Sequence, residues 1–178
     1  MQLWTVGHSN RSIEQFIELL TAQKVQLLAD VRRFPGSRRL PHFGQENLSK
    51  SLAEVGIDYV HFPELGGRRK ALPNSPNSAW RNEAFRGYAD FMMTQEFRAG
   101  IDRLLKLAQE KRTAIMCAEA LWWQCHRSLI ADYLKAAGHT VINILGPNKI
   151  EEHPFTSAAR IVNGKLTYAA EAEPQFLF

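Results

Sequence analysis

Residues 113–134 read TAIMCAEALWWQCHRSLIADYL. The run Thr113-Ala114-Ile115-Met116 is short and apolar and predicts a buried strand. It ends in Cys117-Ala118-Glu119. A loop carrying Leu121, Trp122 and Trp123 follows, and Cys125, His126 and Arg127 stand at the start of an amphipathic helix. Strand, reactive loop and helix N-terminus together are a common way to build a site in an α/β protein. The orphan N–H groups and partial positive charge of a helix N-terminus stabilise a thiolate or a bound anion. Both cysteines of the chain lie in this segment, beside a carboxylate, an imidazole and a guanidinium.

The same alternation extends outward on both sides. Residues 3–6 predict a strand, followed by the turn Gly7-His8-Ser9. Ser12 three residues before Gln15 has the spacing of a capping box, and Ile13, Phe16, Ile17 and Leu20 recur at helical spacing, so 13–23 is a helix. Residues 25–31 are a second strand, 45–55 a helix closed by Gly56, and 58–62 a third strand. The stretch 33–43, rich in Pro, Gly and Arg, is a loop. Residues 63–82 form a long polar segment, and its part 67–82 is expected to be mobile and to cover a cleft. Helices at 84–93 and 96–111 lead into the central segment. Ala137-Gly138 ends its helix, 140–145 is a fifth strand, and Asn163-Gly164 between 160–163 and 165–168 signals a hairpin. Residues 171–178 form a partly ordered tail. The expected fold is α/β: a three-layer, mostly parallel sheet with helices on both faces and a C-terminal β-hairpin, as one domain over 1–178.

In such sheets ligands bind beyond the carboxyl ends of the strands. The residues just past four predicted strands are Gly7-His8-Ser9, Asp30-Val31-Arg32, His61-Phe62 and Cys117-Ala118-Glu119. They are chemically capable and should share one edge. His8, Ser9, Asp30, Arg32, Cys117, Glu119 and Arg127 are therefore expected to line one cleft.

These residues also carry a resemblance. TVGHS at 5–9, ADVRRFPGSRR at 29–39, YVHFPELGGRR at 59–69 and MCAEALWWQCHR at 116–127 closely resemble the bacterial family catalogued as domain of unknown function 488. The resemblance covers nearly the whole chain and implies an α/β fold with a shared site, but no activity. A weaker likeness is to rhodanese-like sulfurtransferases. HRSLIADYLKAAGHTVINILGP is similar to their helix–strand segment after the active loop, and LLADVRRFPGS to their Asp-Val-Arg motif. That likeness implies a nucleophile at Cys117. Their active loop is shorter, with an arginine a few residues after the cysteine, whereas here Arg127 follows Cys117 by ten residues (127 − 117) and two tryptophans intervene.

Composition bounds the partners. Lys and Arg total 22 against 18 Asp and Glu, a formal charge of +4, which suits an anionic small molecule or a nucleic acid without demanding either. No window resembles a membrane span or a secretory signal, and two cysteines without an export signal point to the reducing cytoplasm. The sequence lacks a P-loop, a Gly-rich dinucleotide fingerprint and a Ser nucleophile elbow, so no cofactor is expected. A metal set could be drawn from Cys117, Cys125, His126 and His8. The short-spaced Cys pairs usual in zinc sites are absent, so thiols are expected rather than a metal.

Two function classes stay open. In the first, the chain is a thiol- or acid/base-dependent transferase or hydrolase. Cys117, Glu119, Cys125 and His126 are then catalytic, and His8, Ser9, Asp30, Arg32, Arg127 and Trp122 hold an anionic substrate. Cys125, at the helix start, should be the more acidic thiol. In the second, it is a nucleic-acid-binding module. Arg33, Arg38, Arg39, Arg68, Arg69 and Lys70 then grip phosphates, a tryptophan stacks a base, and the cysteines are structural. Oligomeric state is not legible in the sequence.

Overall fold

A computed structural model describes residues 1–36 and 38–170, so the tail expected over 171–178 lies outside the described residues. In chain order the elements are β1 (Gln2–Gly7), α1 (Ile13–Ala22), β2 (Leu27–Asp30), α2 (Gln45–Ala53) and β3 (Asp58–His61). Then come α3 (Glu83–Met92), α4 (Gln95–Glu110), β4 (Thr113–Cys117), α5 (Arg127–Ala136) and β5 (Thr140–Gly146). β6 (Lys149–Glu152), β7 (Arg160–Val162) and β8 (Lys165–Thr167) complete the series. The six-stranded sheet has the order β3-β2-β4-β1-β5-β6, with every neighbouring pair parallel except β5–β6. β7 and β8 form the separate hairpin, turned by Asn163 and Gly164 at φ 50° and 74°, the left-handed pair that an Asn-Gly turn supplies.

Strand alternation sends side chains into two cores. Trp4, Val6, Leu28, Ala114 and Met116 pack under α1 and α2, against Phe16, Leu20, Leu48 and Leu52. Leu27, Ala29, Ile115 and Cys117 point the other way, toward Tyr88, Phe97, Ile101, Leu104 and Leu129 of α3, α4 and α5. Helices therefore cover both faces, and the three-layer, mostly parallel arrangement holds. Local chemistry starts the helices as expected. Ser12 and Gln15 form the capping box of α1, Asn82 accepts from the backbone of Ala84 and Phe85 at α3, and Thr94 caps α4.

Two expectations change. β6 was not foreseen: Lys149-Ile150-Glu151-Glu152 is a mostly exposed edge, and charge on an edge strand hides its pattern. α5 starts at Arg127 rather than Cys125, because Trp122–Gln124 first make a 3-10 turn. The segment over 67–82, expected to be more mobile than the strands, makes bonds to α3 and to Tyr168. Asp90 of α3 accepts from Leu72 N (2.8 Å), Ser75 Oγ and Asn77 Nδ2 (2.8 Å), and Ala79 N donates to Tyr168 O. Among the described residues no helix is long and apolar enough to cross a membrane.

Candidate functional site

β1, β2 and β4 are adjacent in the sheet and all end on one edge, and their last residues set the site. Cys117 is the final residue of β4 and faces the α3–α5 layer. The chain then turns through 118–124 and returns Cys125 and His126 beside it. The imidazole Nδ1 lies 3.6 Å from Cys125 Sγ and 3.9 Å from Cys117 Sγ. The other nitrogen, Nε2, is 3.1 Å from Val31 O. A carbonyl only accepts, so Nε2 carries a proton, and in the neutral tautomer this leaves Nδ1 as the lone-pair nitrogen facing the sulfurs. His126 therefore bonds a neighbouring carbonyl and makes no side-chain cap to α5. Tyr88, whose hydroxyl donates to Leu65 O, packs its ring 4.9 Å from the imidazole.

The two thiols differ. Hydrogen bonding to Cys125, reinforced by burial, holds Cys117 protonated well above its ordinary range. Burial also pushes Cys125 up, but it is outweighed. The bond from Cys117, the positive charge of Arg127 and the Arg127 backbone N–H together lower its pKa. The partner of Cys117 is the second sulfur rather than Glu119, the neighbour the sequence suggested.

Across the same edge sits an arginine–histidine pair. Asp30, fully buried, accepts from Arg32 Nε (2.9 Å) and Arg32 Nη2 (2.6 Å), and from the Tyr59 hydroxyl (2.6 Å). Burial works against the Arg32 charge, but Asp30 overrides it and raises the arginine's pKa. Arg32 Nη1 is left 3.3 Å from His8 Nε2. His8 Nδ1 donates to Ser9 O at 2.8 Å, and its ring stacks on Phe43. Burial, aided by the Arg32 charge and opposed by the Ser9 bond, pushes the His8 pKa down to about 4, so His8 is neutral at neutral pH.

The loop between the two halves is held by backbone bonds. His8 N donates to Cys117 O, Ser9 N to Ala118 O, and Val31 N to Met116 O. Gly7 permits this approach, since a Cβ there would stand 1.7 Å from Glu119 O. Arg127 is buried, and its guanidinium donates to Glu119 O (2.6 Å) and Ala120 O (3.0 Å). That fork corrects its expected role: it anchors the loop, and its donors on that side are spent on carbonyls.

A cleft of about 280 Å³ opens over this floor, lined by Cys117, Cys125, His126, Glu119, Arg32, Arg33, Arg68 and Tyr88, among others. A second hollow shares Arg32, Arg68 and Glu119 with it and reaches His8 and Ser9. Ser9 and Arg68, which line that hollow, both hold left-handed φ angles (53° and 59°). His8, Ser9, Arg32, Cys117 and Glu119 thus gather at one edge. Asp30 lies beneath them as the anchor of Arg32. Trp122 does not join them. Its ring is buried against His153 and its indole N–H donates to Glu151 of β6, while its neighbour Trp123 is the exposed one. Tyr59 and Tyr88 were missed. Tyr88 shares a helical face with Phe85 and Phe91, a stripe that reads as core. For Tyr59 the signal was alternation, because it shares a sheet face with Asp30 one strand away.

A family model described as "Domain of unknown function DUF488" matches residues 12–134. The chain belongs to the DUF488 family. The matched span runs from the cap of α1 into α5, so it contains Asp30, Arg32, both cysteines, Glu119 and His126, while His8 and Ser9 precede it. The DUF488 description assigns no activity. No curated protein and no solved structure matches this DUF488 chain, and the rhodanese-like likeness finds no counterpart in the matches.

Proposed function

We propose that the protein is a cytoplasmic enzyme acting on a small anionic substrate held over the Cys117–Cys125–His126 cluster. The observation that carries this is the meeting of unlike chemistry in one cleft. Arg32, Arg33 and Arg68 supply positive charge, two sulfurs and a bare imidazole nitrogen form the floor, and Glu119 stands on the wall. Pockets that combine few convergent polar groups with perturbed titratable residues are the usual form of an active site. Arg32 is prepositioned by Asp30, so it meets an anion without reordering its side chain. Glu119 is the group placed to carry a proton, and Cys125, the thiol with the lowered pKa, is the sulfur that reacts or binds. The burial of Trp122 and the small volume of the cleft favour a single anionic group over a nucleic-acid strand.

Calorimetric titration of the full chain with inorganic phosphate tests the anion site. Saturable binding is expected, weakened about tenfold by Arg33→Ala and by Arg68→Ala, since one charge-assisted hydrogen bond contributes roughly 1.5–3 kcal/mol. Phosphate affinity unchanged in both variants would sink the cleft assignment. A single-stranded oligonucleotide that binds far more tightly than phosphate would return the nucleic-acid reading.

A further inference from the structure

We infer that Cys117, Cys125 and His126 are the protein ligands of a divalent ion of the zinc class, with a fourth coordination position open to the cleft. This deepens the substrate-cleft reading and names the chemistry of its floor. The spacing comes first. The three ligand atoms lie within 4.8 Å of one another. A tetrahedral ion with metal–sulfur bonds of about 2.3 Å and metal–nitrogen bonds of about 2.0 Å sets its S···N separations at about 3.5 Å, so a bound ion would draw the ligands in by a few tenths of an ångström. The separations here are 3.6 and 3.9 Å.

The imidazole is oriented as a ligand is. A metal-binding histidine donates its remote N–H to a carbonyl or carboxylate, which fixes the tautomer and aims the bare nitrogen. His126 Nε2 does this on Val31 O. Gly67 is compatible with the same task. A Cβ there would lie 2.8, 3.1 and 3.2 Å from Nδ1, Cγ and Cε1, distances that place it over the face of the ring. The in-plane direction of the lone pair is therefore not the one Gly67 occupies. His8 is excluded as a fourth ligand, because its nitrogens are engaged by Ser9 O and Arg32.

Charge and access agree. Two thiolates and a neutral imidazole balance a divalent ion, which suits sulfurs this deeply buried. Thiolate with imidazole favours zinc over magnesium or calcium. Three protein ligands with an open position is the form of a catalytic rather than a structural zinc site, and the cleft that borders all three ligands also holds Glu119 and Arg32. An anionic oxygen or sulfur of the substrate, or a water, would take that position. The sequence offered these three residues among a possible metal set, but the seven residues between the cysteines (125 − 117 − 1) spoke against it, and the turn over 118–124 is what brings them together.

The test uses cobalt as a visible stand-in for zinc, on the reduced, metal-stripped full chain. One equivalent of Co²⁺ should produce a thiolate-to-cobalt charge-transfer band in the near ultraviolet and intense tetrahedral d–d bands, and Zn²⁺ should erase both. Cys117→Ser and Cys125→Ser should each weaken binding by about a hundredfold or more, beyond the loss typical of an outer-sphere partner. Should those variants fail to fold, thiol counting on the unaltered protein decides. One equivalent of Zn²⁺ should protect both cysteines from a disulfide reagent. Absent charge transfer, an octahedral spectrum, or thiols equally reactive with and without Zn²⁺ would overturn the metal centre. Phosphate calorimetry on the same metal-free sample separates the two ideas. Phosphate binding without metal binding removes only the ion, and metal binding without phosphate binding removes only the anion cleft.

Discussion

At Gly7 one hydrogen atom in place of a methyl group lets the loop after β4 close onto the end of β1. The nearest atoms to an added Cβ are backbone, Glu119 O at 1.7 Å and Glu119 C at 2.6 Å, and backbone cannot step aside as a flexible side chain can. Gly7→Ala is expected to cost about 3 kcal/mol, the upper end of ordinary overpacking. Urea unfolding would measure it, and a change below half that size would mean the loop relocates freely. Legibility at this scale was uneven. The residues just past the strands were readable, because strand ends in a parallel sheet are where sites form. Trp122 was not, since an indole beside reactive residues looks the same in sequence whether it faces a ligand or, as here, His153 and Glu151. Arg127 misled for a related reason: a guanidinium that clamps two carbonyls leaves no sequence signature.

At the scale of elements, one carboxylate ties the long 63–82 connection to α3. Asp90 collects donors from Leu72, Ser75 and Asn77, and although burial pushes its pKa up, those bonds prevail and lower it. The folded form thus takes a proton less readily than the unfolded chain. The stability Asp90 contributes is complete above the ordinary carboxylate range, near pH 4, and drains as pH falls through its lowered folded value. Asp90→Ala should cost about 2 kcal/mol at neutral pH, since buried donors lose their acceptor. It should also flatten the acid limb of the stability–pH profile and speed amide exchange at Leu72. An acid limb of unchanged slope would remove Asp90 from that role. Helices were the most legible elements, because caps such as Ser12 and apolar spacing coincide. The anchoring of a Pro- and Asn-rich loop was hidden, since its acceptor lies on a later helix and only the fold makes the pair.

On the scale of the whole molecule, a buried polar network joins α5 to the sheet and to the C-terminal hairpin. Asp132 accepts from Thr156 N and Oγ1 and from Tyr168 Oη, and pairs with His153 Nε2, whose Nδ1 meets Asn143, itself bonded to Thr5 of β1. Asp132→Ala strands several buried donors at roughly 1–3 kcal/mol each, so a loss of at least about 3 kcal/mol is expected in chemical denaturation. A loss under about 1 kcal/mol would mean water replaces the carboxylate. The layered architecture itself was legible from alternating strand and helix patterns with short connections. Strand order was not, because parallel neighbours are chosen by packing across the sheet and carry no local mark.

That order has a consequence for how the chain is made. β1 lies between β4 and β5, so Trp4 pairs with Ala114 on one side and Ile142 on the other. On a ribosome adding roughly 5–20 residues per second, β1 waits on the order of ten seconds with neither neighbour yet synthesised. Its Leu-Trp-Thr-Val run stays open to wrong partners throughout that interval. β2 and β3 are already available to pair with each other, but the central gap closes only when Thr113–Cys117 threads between β2 and β1. The strand that fills the gap is the one that ends in Cys117. Closing the sheet and bringing Cys117 beside the ends of β1 and β2 therefore require the same strand.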